Sequence, residues 1–192
     1  MNSIIIIAGF SGAGKDFVAR YIEEAYGAHF VVSTTTRPKR PYEEEANPYY
    51  FVTDVEFKKM QSNKEFIEVR TYDTTVDNVP ARWYYGVTKN EVKDDKLTVV
   101  VLDVVGTLEF LEAFGDRCEV IFIKAFDSVR KERCIARGDY NEPEFTRRLE
   151  DDCNKFPDDI VNQITDFVVW NNRSKTALEL EMDCVMEELC IE

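Results

Sequence analysis

The sequence predicts an α/β fold built on a mostly parallel sheet, and three observations carry that expectation. Four short runs, at 4–8, 97–105, 119–126 and 167–170, are apolar and rich in β-branched residues without alternation. Unbroken apolar runs of this length mark strands covered on both faces. Helical patterns lie between them, and the regular succession of strand and helix is that of a parallel sheet with crossover helices. The first run, IIIIA, passes directly through a glycine-rich turn into a helical segment.

Taken in order, residues 17–25 form the first helix after that turn. Residues 33–88 break the rhythm: PYYFVTDVEFKKM joins a β-rich piece to a short helix whose start, Thr53 to Glu56, has capping-box spacing, and EFIEVRTY reads as a further strand. Within this insertion DTTVDNVPAR, residues 73–82, is dense in turn formers and is expected to be a long loop. Residues 127–137 form a helix opened by an Asp/Ser cap, and 141–156 a second with Phe145, Leu149, Cys153 and Phe156 on one face. The last helix, 174–189, places Leu178, Met182, Val185, Met186 and Leu189 on one stripe.

With 192 residues, 44% of them hydrophobic, the chain is long enough for one domain with a full core. A net charge of -13 argues against a broad grip on nucleic acid, which depends on basic residues neutralising phosphates. The basic residues nevertheless cluster, at Arg37, Lys39 and Arg40 and again between Arg130 and Arg148, so an anionic ligand is expected in a local pocket. Five cysteines, Cys118, Cys134, Cys153, Cys184 and Cys190, include no C-x-x-C pair. They are expected to be reduced core thiols of a cytoplasmic protein rather than a disulfide framework or a zinc site. No run approaches a membrane span, and no membrane partner is expected. His29 is the one histidine, which leaves little material for a Ser/His or Cys/His mechanism. Trp83 and Trp170 are expected to pack, and Glu43, Glu44 and Glu45 to form a solvated turn.

GFSGAGKD, residues 9–16, has the spacing G-x-x-x-x-G-K in a strand–turn–helix setting. Glycines let consecutive backbone N–H groups wrap a phosphate, the following helix N-terminus favours negative charge, and the lysine reaches the outer phosphates. Asp16 stands where a hydroxyl usually follows, and a carboxylate is also a hard oxygen ligand for magnesium.

Beyond this loop lie VSTTTRPKRPYEEE at 32–45, PYYFV at 48–52, FIE at 66–68, YYG at 84–86, R-x-x-x-R-G at 133–138 and a V-x-N-N segment ending at 172. Across nearly its whole length, and in this order, the chain resembles guanylate kinases. That resemblance implies a three-layer P-loop kinase fold in a single domain, with a small β-rich nucleoside monophosphate (NMP)-binding insertion at 33–88 and a helical lid at about 137–148. It implies ATP and Mg2+ on the phosphate loop, with Gly9, Phe10, Ser11, Gly12, Ala13, Gly14, Lys15 and Asp16 around the donor phosphates and Asn171 toward its adenine. Arg37, Arg40, Tyr49 and Tyr85 then hold the phosphate of GMP, while Ser33 and Glu68 meet its base. Arg133, Arg137 and Arg148 close over the transferring phosphoryl group, and Asp16 and Asp103 orient magnesium or its waters.

Two positions depart from the family pattern. Val105 stands where the family has a second carboxylate, and Val87 where a hydroxyl follows Y-Y-G. The implied reaction is phosphorylation of GMP, and of dGMP in the same pocket. Asp16 and the two valines keep a kinase of another acceptor open, a deoxynucleotide or a phosphorylated sugar. A non-catalytic binding module of the same family is the third alternative, opposed by the full stock of site residues.

Overall fold

The first strand, β1 (Ile4–Gly9), is buried along its whole length, which is why it tolerates four consecutive isoleucines. It lies at the centre of a five-stranded sheet in the order β2-β7-β1-β8-β9, with β2 at His29–Phe30, β7 at Thr98–Val101, β8 at Cys118–Lys124 and β9 at Phe167–Trp170. Every pairing in it is parallel, and Ile6 sits opposite both Val100 and Val120. The computed structural model describes residues 3–39, 49–76, 79–138 and 140–191.

Alternate residues of these strands feed two core layers. Ile5, Ile7, Val99, Ile121, Ile123 and Val169 pack with Val18, Ala19 and Ile22 of α1 (Lys15–Tyr26) and with Leu178, Met182 and Met186 of α7 (Lys175–Glu188). Ile4, Ile6, Val100, Leu102, Val120 and Phe122 pack on the other face, with Phe110 of α3 (Val104–Phe114) and Val161 of α6 (Asp158–Ile164). The result is the expected three-layer α/β arrangement. Burying one such isoleucine contributes about 1.5–3 kcal/mol. Asp183 of α7 also accepts hydrogen bonds from Tyr21 (2.5 Å) and Tyr26 (2.7 Å), joining α7 to α1 at the surface end of their contact.

The segment from Ser33 to Thr88 makes a second sheet in the order β4-β3-β6-β5, from β3 (Ser33–Thr35), β4 (Tyr49–Phe51), β5 (Phe66–Val76) and β6 (Val79–Thr88). Helix α2 (Asp54–Ser62) follows β4 and starts with the expected capping box: Thr53 Oγ1 accepts from the Glu56 N–H, and the Glu56 carboxylate from the Thr53 N–H. Residues 73–76 and 79–82 are not the expected loop. The described part continues the β5–β6 hairpin from Asp73 opposite Arg82 to Val76 opposite Val79. Turn-forming residues are tolerated there because the Asp73–Arg82 pair joins the two strands (2.6 Å) and, among the described residues, the far end of β6 has only β5 beside it, so Pro80 interrupts no second ladder there.

Four further expectations are corrected. The first helix after β8, α4 (Asp127–Arg137), has Phe126 at its N-cap with no side-chain cap, and Asp127 instead pairs with Arg130 in the first turn (3.0 Å). In α5 (Glu142–Lys155) Phe145 is buried as expected, but Asp152 is buried where Cys153 was expected, and Cys153 is exposed. Only Cys118 and Cys134 of the five thiols are buried; Cys184 and Cys190 are exposed as well. Trp170 is likewise half exposed, with its ring against Phe126. No helix among the described residues is long and apolar enough to cross a membrane.

Candidate active site

The phosphate loop leaves the carboxyl end of β1, the edge at which open parallel sheets place ligands. Two of its glycines are required by space. A Cβ on Gly9 (φ +143°) would fall 2.3 Å from the Ile123 carbonyl of β8, and one on Gly14 (φ +98°) 2.4 Å from Asn171 Nδ2. Lys15 curls back over the loop, its Nζ donating to the carbonyls of Gly9 (2.9 Å) and Phe10 (3.0 Å). Burial lowers its pKa, while Asp16 and Asp152 pull the other way.

Side chains from three elements hold the outer side of this loop. Asn171, following β9, donates to the Ala13 carbonyl (2.8 Å). Arg133 donates to the Ala13 carbonyl (3.2 Å) and, with its other terminal nitrogen, to the Asn171 side-chain oxygen (2.8 Å). The Asp152 carboxylate accepts from the Ser11 N–H (3.0 Å), Arg130 Nε donates to the Ser11 carbonyl (2.7 Å), and Arg130 and Asp152 bind each other directly. Both members of this pair are buried. Burial pushes the Asp152 carboxyl up, against the pull of Arg130.

In front of the loop opens a cavity of about 770 Å³. Gly9, Ser11, Lys15 and Asp16 form one wall. Ser33, Tyr49, Arg70, Tyr72, Trp83 and Tyr85 from the second sheet form the opposite one. Asp103, beyond the end of β7, lies between them. One Asp103 oxygen caps α3 by accepting from the Gly106 N–H (2.9 Å), and the other accepts from the Tyr72 hydroxyl (2.5 Å). Burial and then Asp103 raise the Tyr72 pKa, so the phenol stays a donor. Tyr49 is pushed up to about 12, mainly by burial and next by Asp16. Helix α5 closes a third side with Glu144, Arg147, Arg148 and Asp152.

Not every expected site residue reaches this cavity. Arg37 is buried beside it, its guanidinium over the rings of Tyr49 (5.4 Å) and Phe51 (5.5 Å) and donating to the Pro38 carbonyl (2.9 Å). Glu68 is fully buried and is not on the wall. Arg133 and Asn171 face the back of the phosphate loop, and Arg137 ends α4 with a contact to Cys134 Sγ (3.5 Å). Arg148 lines the cavity while paired with Glu144 (2.8 Å). Arg40 lies outside the described residues, as does the acidic turn expected at Glu43, Glu44 and Glu45. Of the two divergent positions, Val87 is wholly in the core and Val105 is 55% exposed; neither lines the cavity.

Sequence reasoning missed Arg70 and Tyr72 in the acceptor wall and Arg130 and Asp152 behind the loop. For the first two a signal existed: Glu68, Arg70 and Tyr72 alternate along one strand and therefore share a face. For the second two there was none, since each is charged and only its distant partner makes burial tolerable.

Comparison with known proteins agrees with this geometry. A family model described as guanylate kinase matches residues 1–188. A guanylate kinase of Thermotoga maritima is 27% identical over 189 residues, covering 97% of this chain and 87% of its own length. One from Hydrogenovibrio crunogenus is 30% identical over 182 residues, covering 92% of this chain and 83% of its own. Among solved structures, guanylate kinase from Anaplasma phagocytophilum superposes with a TM-score of 0.66 at 23% identity, covering 97% of this chain and 86% of that one. Shikimate kinase from Acinetobacter baumannii shares the fold more distantly, with a TM-score of 0.54 at 15% identity over 99% of this chain and 94% of that one. The phosphate loop, the second sheet facing it and the match along the whole chain together make this protein a member of the guanylate kinase family.

Proposed function

We propose that the protein transfers the γ-phosphoryl group of ATP to the phosphate of GMP, or of dGMP, giving ADP and the nucleoside diphosphate. The observation that carries this reading is one continuous cavity with Lys15 on one wall and Ser33, Tyr49 and Tyr85 on the wall facing it. The donor phosphates lie on the backbone N–H groups of residues 9–16 with Lys15 at their outer end, and Asn171 lies toward the donor base. Arg37, Arg40, Tyr49 and Tyr85 hold the acceptor phosphate, guanidinium forks and phenol hydroxyls both being suited to its oxygens. Residues 33–88 act as the acceptor-binding insertion and residues 137–148 as the lid.

Reaction is in-line attack of an acceptor phosphate oxygen on the γ-phosphorus, with ADP as leaving group. The protein positions two anions and offsets their repulsion; Arg133, Arg137 and Arg148 are the cations for that task, and an arginine in such a role is worth on the order of a thousandfold in rate or more. Two carboxylates on the cavity wall, Asp16 and Asp103, are the hard oxygen donors that magnesium takes, so the donor set fits that ion. Bound there, directly or through water, magnesium supplies charge neutralisation on the phosphate oxygens. The test is ADP formation from Mg-ATP with GMP, dGMP, AMP, CMP, UMP, dTMP and phosphorylated sugars as acceptors. Turnover with GMP or dGMP well above the others is expected; turnover confined to another acceptor, or none, overturns the reading.

A further inference from the structure

Glu68 was expected to read the base, but its carboxylate is already occupied. Glu68, Arg70 and Tyr72 point to one face of β5, and Arg70 folds back on Glu68 with two parallel bonds, Nε to Oε2 at 2.6 Å and Nη2 to Oε1 at 3.0 Å. Gly106 of α3 roofs the pair: a Cβ there would lie 3.4 Å from Glu68 Oε2 and 3.5 Å from Arg70 Nε. Glu68's side chain is 0% exposed and Arg70's 11%, and it is Arg70 that meets the cavity. A guanidinium carries five N–H groups. Two are spent on Glu68, and among the described residues Nη1 meets a carboxylate only at long range, Asp103 at 3.8 Å. The charged surface offered to a base here is therefore a set of donors, not a carboxylate.

We infer that Arg70, held in place by Glu68, is the residue that selects the acceptor base, and that it does so by donating to the 6-oxo and N7 acceptors of a purine. The inference rests on the cavity being the acceptor site proposed above. Ser33, buried and lining the same cavity, adds a hydroxyl, and Trp83, Tyr72 and Tyr85 supply flat surfaces for the ring. Arginine pairs with the O6/N7 edge of guanine because both acceptors lie at the spacing of its fork. Guanine and hypoxanthine present that edge identically, whereas adenine puts an amino donor at position 6. The N2 amine that separates guanine from hypoxanthine would be read by a free carboxylate, and in this protein that carboxylate is covered.

Initial rates with GMP, IMP and AMP decide the matter in the wild-type protein, in Arg70→Met and in Glu68→Gln, with folding of the variants followed by circular dichroism. The wild type should use GMP and IMP with kcat/KM values within about tenfold of each other and AMP at least about a hundredfold less well. Arg70→Met should lose about a hundredfold with GMP and IMP and leave the AMP rate unchanged, while Glu68→Gln, which keeps an oxygen to orient Arg70, should retain the GMP-to-IMP ratio. A wider wild-type gap in favour of GMP over IMP overturns the inference without any variant, as does a GMP-to-AMP ratio that survives Arg70→Met. GMP turnover with IMP ignored defeats this inference alone; turnover with neither defeats the proposed function along with it.

Discussion

The two walls of the cavity are built on opposite principles. Around the phosphate loop, charged and amide side chains are spent on main-chain atoms: Asp152 and Arg130 on Ser11, Arg133 and Asn171 on Ala13 and, on the cavity side, Lys15 on Gly9 and Phe10. Their effect is to fix a backbone whose own N–H groups face the ligand. Across the cavity, side chains hold side chains, Glu68 with Arg70 and Asp103 with Tyr72, and of these Arg70, Tyr72 and Asp103 face the ligand. A phosphate is the same on every nucleotide and can be met by backbone. A base differs between nucleotides and needs side chains that differ too, so substitutions on the first wall should change how much the protein does and those on the second what it acts on.

The largest effect should come from Lys15→Ala, which removes the loop's one cationic side chain from the cavity wall. Turnover should fall on the order of a thousandfold or more with every acceptor alike. The thermal transition should stay near that of the wild type, because the lysine's two bonds go to loop carbonyls that open onto the cavity. Rates for the acceptor panel measured beside a melting curve check this; a change in the order of acceptors would break the division of labour between the walls.

Next in size is the buried brace. Asp152→Ala leaves Arg130, only 2% exposed, with the exposed Asp127 as its remaining carboxylate, so the cost should approach but not exceed the about 3–5 kcal/mol of a buried charge stripped of its partner. Replacing both, Arg130→Met with Asp152→Ala, should recover most of that loss in urea unfolding, since apolar packing of similar volume often equals a buried pair. A double variant as unstable as the single would mean that the bonds to the Ser11 backbone, rather than the ion pair, carry the stability. Either way the base preference should not move.

These two regions were unequally legible in the sequence. The strand of isoleucines, the glycine-rich turn after it and the capping box at Thr53 are local patterns, each complete within a few residues, and the structure has them as read. Asp152 was missed because helical periodicity counts apolar residues and so favoured Cys153, while what buries Asp152 is Arg130 on another helix. The hairpin at 73–82 was missed because its turn-forming residues are offset by a cross-strand partner, Arg82, that is not local. Helix α6 has seven residues, too few to show a period. The role assigned to Glu68 from resemblance concerned one residue, and its neighbour two positions along the same face determines what that residue can reach.

The smallest effect separates the buried brace from the outer surface of the same helix. On α5, Glu144 accepts from both Arg147 (2.8 Å) and Arg148 (2.8 Å), and these bonds, Arg147's foremost, hold its carboxyl at about 2 against an ordinary 4.5. A carboxylate whose pKa is depressed by folding stabilises the native state above its unfolded value, and that contribution is lost as pH falls from 4.5 toward 2. Because the pairs are partly exposed, screening by water and salt should keep the whole contribution below about 1 kcal/mol at neutral pH. Glu144→Gln should therefore cost little at pH 7, and its stability should fall less steeply than the wild type's between those two pH values, with salt narrowing the difference. A cost at pH 7 approaching that of Asp152→Ala would show that this surface of α5 is part of the brace. A small one would leave Arg147 and Arg148 as side chains that exchange Glu144 for a phosphate at little expense to the fold.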